Sequence, residues 1–544
     1  MSTPQPPIRS HPVPLDAVIV GAGFAGIYML LRLRQLGLRA RVLEAGAGPG
    51  GTWYWNRYPG ARCDVESIDY SYSFCDELQQ DWRWSERYAT QAEILRYVDH
   101  VIDRFGLRPD MKFESRVIGA SWDDATAEWL IDTEAGEQFS ARYLIMATGC
   151  LSVPQTPQLP GLDHFTGQVY STGAWPHEPV DFTGLRVGVI GTGSSGIQSI
   201  PVIASQAAAL TVFQRTPSFS VPAHNGPLSP EREREVKENY AFLRKRNRES
   251  RVGYVVPAYP YSAMEASPEE REAVYEERWQ RGGLGFTAAY TDLITDRAAN
   301  ETAAEFVRAK IRDIVDDPAT AGALQPRTYP IGTKRVCVDS GYYATYNLPH
   351  VQLVNLRQEP IVEVLPLGLR TPSREIPLDA LVFATGFDAM TGALNRIAIR
   401  GRDGVLLRDH WAAGPRSYLG VAVAGFPNMF TITGPGSPSV LSNMMVSIEQ
   451  HVDWMAEFLA AMLAADLTTF EATQSAQDDW VAHVNEVAAQ TLMPQANSWY
   501  MGANVPGKPR IFMPYAGGVG HYRHLCADIA AQGYPGFVRR GAGE

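Results

Sequence analysis

The sequence predicts an α/β protein built around two parallel β-sheets. Three observations predict this fold class: a glycine-rich turn between a strand and a helix near the N-terminus, a second copy of that pattern at Gly191, and two further apolar strands that end in small residues. The chain has 544 residues, of which 45% are hydrophobic and 20% are charged. This composition is typical of a globular protein of about three or four structural units, and it excludes disordered and fibrous proteins.

The first copy of the pattern begins with the apolar strand 17–20, followed by Gly21-Ala-Gly23-Phe-Ala-Gly26 and a helix expected to reach Leu36. The next strand, 40–43, ends in Glu44. In such a turn the three glycines allow a tight bend, a close approach of the backbone to a pyrophosphate, and close packing of the helix on the strand. The pyrophosphate would lie at the helix N-terminus, and the Glu44 carboxylate can accept hydrogen bonds from ribose hydroxyls.

The second copy begins with strand 186–190, followed by Gly191-Thr-Gly193-Ser194-Ser195-Gly196, a helix and strand 210–213. It ends in Gln214-Arg215-Thr216 and carries no acid. A carboxylate there would repel a 2′-phosphate, whereas Arg215 can bind one through charge-assisted hydrogen bonds. We therefore expect two Rossmann-like dinucleotide-binding domains, with FAD at the first site and NADP(H) at the second. Taken alone, Arg215 could equally be a solvated surface side chain.

Two apolar strands, 143–149 and 380–386, end in Ala-Thr-Gly and are predicted to pass beside the cofactors or between the domains. The segment 229–324 is rich in Glu and Arg with helical periodicity, which favours a solvated insertion or lid without an assigned chemistry. The two cofactor domains would therefore be built from interleaved segments. The predicted limits are 1–150 and 388–544 for the FAD domain, 151–222 and 327–387 for the NADP domain, and 223–326 for the helical insertion.

The charge and cysteine content count against several other classes of protein. The formal net charge is −11, and an acidic surface disfavours nucleic acid and anionic membranes as partners. The five cysteines include no CxxC pair, which argues against a disulfide framework, a zinc site and a dithiol redox centre, and no metal is predicted. Residues 1–14 lack the apolar core of a signal peptide. We expect a cytoplasmic protein that is a monomer or a small homo-oligomer.

The run from Gly50 to Asp64 reads Gly-Gly-Thr-Trp-Tyr-Trp-Asn-Arg-Tyr-Pro-Gly-Ala-Arg-Cys-Asp. By itself it is as typical of an aromatic core loop as of a cofactor site. Its order of glycines, tryptophan, aromatic–proline pair and final aspartate is similar to a motif of the FAD- and NADPH-dependent Baeyer–Villiger monooxygenases. Four further segments resemble the phenylacetone and steroid monooxygenase branch of that family, so the resemblance covers essentially the whole chain: 175–198, 332–335, 434–444 and 498–508.

The resemblance implies that NADPH reduces FAD and that the reduced flavin reacts with O2 at its C4a carbon. The resulting peroxide would attack a ketone and insert one oxygen atom, giving an ester or a lactone, and sulfides would be a further substrate class. A peroxide anion needs a fixed cation beside it, and arginine keeps its charge when buried. By the resemblance, Arg335 is the catalytic arginine and Asp64 pairs with it.

The resemblance also implies cofactor and substrate contacts. Lys334, Arg215 and Thr216 would bind the 2′-phosphate, and Trp499 would lie on a loop that closes over the cofactor. Without the resemblance, an adjacent Lys-Arg pair is more typical of a surface, and an isolated tryptophan is more typical of a core. The predicted cofactor-binding residues are Gly21, Gly23, Gly26, Glu44, Gly51, Thr52, Trp53, Asp64, Tyr70, Gly191, Gly193, Ser194, Ser195, Gly196, Arg215, Thr216, Lys334, Arg335 and Trp499. The predicted ketone pocket consists of Ser439, Val440, Leu441 and Met444.

One position departs from the family pattern. In the segment 165–176, Ser171 stands where the family has a histidine, and the resemblance implies that this segment links the two cofactor domains. A serine keeps a small hydrogen-bonding group but lacks the reach and the second nitrogen of an imidazole. The departure bears on domain movement and coupling more than on the chemistry. The alternatives are therefore a flavin monooxygenase that oxygenates nitrogen or sulfur, an uncoupled NADPH oxidase, and a non-catalytic cofactor-binding sensor.

Overall fold

A computed structural model describes residues 13–257 and 259–541. Within these residues, segments from both ends of the chain form an eight-stranded sheet. Its central strands are parallel, with Val20 opposite both Leu43 and Met146, and Thr431 also opposite Met146. A short antiparallel meander extends one side. The strands in chain order are Val13–Val20, Ala40–Leu43, Met111–Lys112, Val117–Asp123, Glu128–Thr133, Gln138–Met146, Ala398–Arg400 and Met429–Thr431.

The second sheet has five strands, all of them parallel. The first strand of the second repeat lies at its centre, and a short strand from the linking segment forms one edge. Across the sheet the strands are Val351–Asn355, Ala209–Gln214, Arg186–Ile190, Ala380–Phe383 and Gln168–Ser171. Smaller sheets pair Ser220–Pro222 with Cys337–Asp339, Leu467–Ala472 with Phe537–Gly541, and Glu363–Leu365 with Gly368–Arg370 and Glu375–Pro377.

The two strand–turn–helix repeats form as the sequence predicts. The first helix, Phe24–Gln35, ends one residue before the expected Leu36, and the equivalent helix of the second repeat is Ser194–Ala204. Both begin directly after the middle glycine of the fingerprint. The other α-helices are Thr52–Trp55, Asp76–Asp81, Gln91–Arg104, Pro230–Glu238, Tyr240–Glu249, Pro268–Arg281, Arg297–Ile314, Pro318–Leu324, Tyr342–Thr345, Gly392–Arg396, Leu407–His410, Met444–Ala464, Gln474–Ala489 and Val519–Ala531.

The segment predicted as a solvated insertion packs against both halves of the protein. Val236 and Tyr240 belong to the apolar core of the first sheet. Tyr275, Trp279 and Phe306 belong to the core of the second. The charged residues of these helices cover their outer faces, but the buried aromatic residues between them anchor the segment. The insertion is therefore anchored on both cores and solvated on its outer faces.

The chain passes between the two sheets at two adjacent segments, 150–155 and 386–390. Backbone hydrogen bonds join them: Met390 N donates to Cys150 O (2.8 Å), and Gln155 N donates to Gly386 O (2.9 Å). The Lys508 ammonium binds this crossing through the Asp388 carboxylate at 2.6 Å. The two crossing segments are therefore hydrogen-bonded to each other where the chain passes between the two sheets. None of the described helices is long and apolar enough to cross a membrane.

Two helix glycines are expected to respond in opposite ways to substitution by alanine. A Cβ at Gly196 would lie 2.3 Å from the Gly191 carbonyl oxygen, so overpacking should destabilise the protein by about 1–3 kcal/mol. A Cβ at the exposed Gly322 would meet no heavy atom within 4 Å, so Gly322→Ala should stabilise its helix by up to about 1 kcal/mol. Thermal melting of the two purified variants checks this, and equal melting temperatures would contradict it.

Candidate active site

A cleft of about 1970 Å³ lies between the two sheets, where the carboxyl ends of their strands meet. Ligands of doubly wound folds bind at such edges. Most of the predicted site residues line this one cleft. They are Gly21, Gly23, Glu44, Gly51, Thr52, Trp53, Asp64, Tyr70, Gly191, Gly193, Ser194, Ser195, Arg215, Thr216, Lys334, Arg335, Val440, Leu441, Met444 and Trp499.

Three predicted residues do not line the cleft. Gly26 and Gly196 serve helix packing instead, because a Cβ on Gly26 would lie 1.9 Å from the Gly21 carbonyl oxygen and one on Gly196 would lie 2.3 Å from that of Gly191. Ser439, predicted for the ketone pocket, is fully buried. It begins the short 3-10 turn Ser439–Leu441, whose next two residues do reach the cleft.

The first nucleotide site is built by close backbone approach. Gly21 has φ +110°, and a Cβ there would lie 2.6 Å from the carbonyl oxygen of Ala147, the residue that follows the strand Gln138–Met146. The helix N-terminus at Gly23 has no side-chain cap, so its amide N–H groups are free to bind a pyrophosphate. The arrangement fits the diphosphate of FAD.

Glu44 is buried, and its carboxylate accepts hydrogen bonds from two backbone amides, Ala22 N at 2.7 Å and Gly46 N at 2.8 Å. The sequence predicts a bond from this carboxylate to a ribose. The structure adds that it also clamps the glycine turn to the following loop. A carboxylate has about four acceptor positions, so the ribose contact stays compatible with these two bonds.

An aromatic wall stands beside this first site. Trp53 is buried, and its indole Nε1 donates to the Tyr70 hydroxyl at 3.2 Å, with the two rings edge to face at 5.8 Å. Gly51, at φ +52°, allows this loop to approach the first fingerprint, because a Cβ there would lie 2.9 Å from the Gly23 Cα. Apolar rings and closely packed backbone suit a flat heterocycle such as a flavin.

The second nucleotide site repeats the geometry of the first. Gly191 has φ +115°, and a Cβ there would lie 2.3 Å from the carbonyl oxygen of Ala384, the residue after the strand Ala380–Phe383. A Cβ on Gly193 would meet nothing within 4 Å, so the helix N-terminus with Ser194 and Ser195 opens into the cleft. This space and the uncapped amides fit a second pyrophosphate.

Three cations, Arg215, Lys334 and Arg357, lie close together at the rim of the second site. Arg357, which the sequence analysis missed, donates from Nε to the Arg215 carbonyl at 2.9 Å and from Nη2 to the Thr216 hydroxyl at 3.4 Å. Burial and then the charges of Arg215 and Arg357 lower the pKa of Lys334 to about 8. None of the ion pairs among residues 13–257 and 259–541 involves these three side chains. Cations that repel one another fit a dianionic 2′-phosphate.

Arg335 turns away from Lys334 toward the first site and pairs with Asp64. Its Nε and Nη2 both lie 3.3 Å from Asp64 Oδ2, and the exposed fractions of the two side chains are 32% and 6%. Burial disfavours the Arg335 charge, but Asp64 together with Tyr500, Cys63 and Cys337 more than offsets this effect, so the pKa of Arg335 lies above its ordinary value. Gln198 Nε2 donates to Asp64 Oδ1 at 2.8 Å. The arginine is therefore a permanent cation that faces the cleft.

The part of the cleft where the sequence predicts a ketone pocket joins the loop 440–444 to residues of the insertion. Val252 and Tyr254 line it beside Leu441 and Met444, and Trp499 stands against Tyr500 with ring centroids 4.2 Å apart. Burial raises the pKa of Tyr254 to about 12, so this hydroxyl is neutral. The sequence does not predict Val252 and Tyr254 as site residues. They lie in a short apolar loop between two helices that are rich in charged residues, and the charge dominates the pattern of this segment.

Ser171 is the last residue of the edge strand and lies opposite Phe383. Two residues on, a Cβ at Gly173 would lie 2.8 Å from both Phe387 and Pro154, which belong to the two chain crossings. The departure from the family pattern therefore lies next to the crossings and outside the cleft lining.

Comparison with known proteins identifies the family to which the chain is related. Residues 18–250 match the family model described as pyridine nucleotide-disulphide oxidoreductase, although all five cysteines of this chain are free. The chain is 44% identical over 527 residues to a phenazine N-monooxygenase of Lysobacter antibioticus, and 42% identical over 529 residues to a Baeyer–Villiger monooxygenase of Pseudooceanicola batsensis, with 96% of each chain covered in both cases. A solved structure of an oxidized steroid monooxygenase bound to NADP is 52% identical, with a TM-score of 0.94, over 97% of this chain and 100% of that one.

Two nucleotide folds meet at the ion pair between Arg335 and Asp64, and the relatives cover nearly the full length of the chain. Together these observations define a flavin-dependent monooxygenase of the two-dinucleotide class. The chain belongs to the type I Baeyer–Villiger monooxygenase family. This confirms the predicted fold class, the family and the pair of cofactors, FAD and NADP(H).

The low pKa of Lys334 predicts a pH-dependent affinity for NADP⁺. Above about pH 8 this lysine is neutral in the free protein, and the predicted contact with a 2′-phosphate would require it to take up a proton. The affinity should therefore fall as pH rises past 8, by up to about tenfold per pH unit. Titration of the holoenzyme between pH 7 and 9.5 measures this. NAD⁺, which lacks the phosphate, and Lys334→Met should show no such slope, and the same slope in all three titrations would contradict the assignment.

Proposed function

We propose that this protein uses NADPH and O2 to insert one oxygen atom into a ketone, giving an ester or a lactone. The observation that carries the proposal is the position of Arg335, a cation held by Asp64 where the cleft residues of both nucleotide sites converge. The proposed substrates are a small-molecule ketone and O2. The cytoplasmic location and the monomeric or small homo-oligomeric state stay predictions.

The residues at both sites fit the two cofactors. The Gly21–Gly26 turn, Glu44 and the wall of Trp53 and Tyr70 would hold FAD, and the Gly191–Gly196 turn with the cations at Arg215, Lys334 and Arg357 would hold NADPH. When bound, these groups supply the hydride and the activation of oxygen. The protein itself supplies binding, orientation and electrostatic stabilisation.

Arg335 would stabilise the negative charge that develops while oxygen is transferred to the substrate carbonyl. A guanidinium suits this role because it cannot lose its proton and presents several N–H donors in a plane. A third of its side chain faces the cleft, while the paired Asp64 carboxylate is almost fully buried. Asp64 therefore orients the cation from behind and leaves donors free on the cleft side.

Apolar side chains would exclude water from the reacting centre. Val252, Leu441 and Met444 line this part of the cleft, and the neutral Tyr254 adds an aromatic surface. Exclusion of water strengthens the field of Arg335 and protects reactive groups from hydrolysis. A pocket of this kind binds an uncharged ketone through its carbon skeleton.

A second candidate function is oxygenation of an aromatic ring nitrogen. The observation in its favour is the 44% identity to a protein named as a phenazine N-monooxygenase. Purified holoenzyme should therefore be assayed in parallel with phenylacetone, a sulfide and phenazine, with NADPH consumption and oxygenated product both quantified. Ester formed one for one with NADPH supports the ketone reaction, and N-oxide formation without ester assigns the second function. NADPH consumption that ignores every substrate and yields only H2O2 would contradict both.

Arg335→Ala should separate the two halves of the reaction. Flavin reduction by NADPH should continue, because the 2′-phosphate contacts do not involve Arg335, whereas ester formation should fall by about 10²–10³-fold. Stopped-flow reduction and product analysis measure the two effects on one preparation. Arg408→Ala, at a surface arginine with 52% exposure, is the control and should leave both unchanged. Undiminished oxygenation in Arg335→Ala would remove the assignment.

A further inference from the structure

The geometry points to Gln198 as the residue that positions Asp64, and through it Arg335, across the boundary between the two nucleotide folds. Gln198 lies on the helix Ser194–Ala204 of the second fold, whereas Asp64 ends the aromatic loop of the first. This inference rests on the proposed function and adds to it a positioning residue that no other observation assigns.

The contact between Gln198 and Asp64 is tighter than the ion pair it supports. Gln198 Nε2 lies 2.8 Å from Asp64 Oδ1, whereas the two Arg335 nitrogens lie 3.3 Å from Oδ2. Charge-assisted hydrogen bonds of good geometry are about 2.7–2.9 Å long. The amide therefore fixes the orientation of the carboxylate, and Arg335 rests on the other oxygen with freedom to engage a ligand in the cleft.

The hydrogen bonds of the Gln198 side-chain amide are made to the aromatic loop, residues 50–64. Its Oε1 accepts from the Tyr58 hydroxyl at 2.8 Å and from Arg62 N at 3.4 Å, and its Nε2 also donates to Arg62 O at 3.2 Å. These partners fix which end of the amide is the donor. A flipped amide would place its oxygen against the carboxylate of Asp64.

The backbones of the two folds also meet at this point. Gly60 has φ +80°, and a Cβ there would lie 2.4 Å from the Gln198 carbonyl oxygen. The same helix begins at Ser194, beside the pyrophosphate site proposed for NADPH. One helix thus holds the cofactor at its N-terminus and the carboxylate behind the catalytic cation one turn later. The Asp64–Arg335 pair is correctly oriented only while the two folds are docked.

Near Asp64, few other side chains change their protonation state between acidic pH and pH 9. Burial raises the pKa of Asp64, and Arg335 and Gln198 oppose that rise. The other charged neighbour is Arg62. The remaining titratable groups are phenols and thiols whose pKa values burial raises, so they stay neutral below pH 9: Tyr58, Cys63, Tyr88, Tyr254 and Cys337. Within this cluster Asp64 is therefore the group whose titration a Gln198 substitution would change, so a shift of the acid limb between wild type and variant reports Asp64.

The test compares Gln198→Leu and Gln198→Glu with the wild-type holoenzyme. Gln198→Leu removes a donor to the ionised carboxylate, so the acid limb of coupled product formation should move to higher pH. The yield of product per NADPH should fall by about tenfold or more, since misplacement of a catalytic group costs up to about 100-fold. The dissociation constant of NADP⁺ should change less than about threefold, because the phosphate contacts stay intact.

Gln198→Glu gives a readout that a merely structural role would not produce. A neutral carboxylic acid at this position can donate its proton to Asp64 and accept from Tyr58, whereas the ionised form repels Asp64. Coupling in this variant should therefore be best at low pH and should fall as the introduced carboxyl group ionises, the reverse of the Gln198→Leu profile. The controls are Gln206→Leu and Gln206→Glu, at an exposed glutamine just beyond the same helix, and both should match the wild type.

The outcomes separate this inference from the proposed function. A wild-type enzyme that forms no oxygenated product refutes the proposed function, whatever the variants do. If the wild type couples, then unchanged yields and unchanged pH profiles in both Gln198 variants overturn the positioning role. A parallel loss of NADP⁺ affinity and product in Gln198→Leu and Gln198→Glu, with no difference in their pH profiles, also overturns it, because it shows a general disruption of the helix.

Discussion

The architecture depends on holding one partly buried positive charge at the cleft where the two nucleotide folds meet. An isolated buried cation is costly, and the cost is met here by the Asp64 carboxylate, which lies 271 residues from Arg335 in the chain. Asp64 belongs to the loop beside the first nucleotide site, and Arg335 follows Lys334, which lies at the rim of the second. The ion pair therefore requires both folds in place, which explains why neither the aromatic loop nor the Lys-Arg pair is informative alone.

The two nucleotide sites use the same steric device twice. In each, the first glycine of the turn faces the carbonyl of an alanine at the end of a neighbouring strand, Ala147 in one fold and Ala384 in the other. No side chain larger than hydrogen fits between these backbones. The similar strand endings that the sequence shows at 143–149 and 380–386 are therefore the other half of each glycine turn. The two sites differ in charge: a carboxylate, Glu44, lies at the first, and three cations lie at the rim of the second.

Sequence reasoning predicts this fold well where the constraint is local. The glycine turns, the strands around them and the family motif at 50–64 are fixed by sterics within a few residues, so their positions appear in the sequence directly. Arg357 and Gln198 could not be found in this way, because they reach the site only through strand pairing and domain docking. Arg357 follows a strand that happens to lie beside Ala209–Gln214. The prediction that Ser439 lines the ketone pocket differs from the structure for another reason. The motif places the loop 439–441 beside the cleft, but the turn buries the Ser439 side chain.

The two chain crossings between the sheets have a mechanical consequence. Because 150–155 and 386–390 run side by side and share backbone hydrogen bonds, they act as one strip rather than as two independent tethers. A strip of this kind bends easily about a single line and resists twisting or separation. A bending motion of one sheet relative to the other about this strip would have its axis at the closed end of the cleft. Bending about that axis changes the width of the mouth most and the spacing of groups near the crossings least, so substrate exchange and cofactor alignment are mechanically separable.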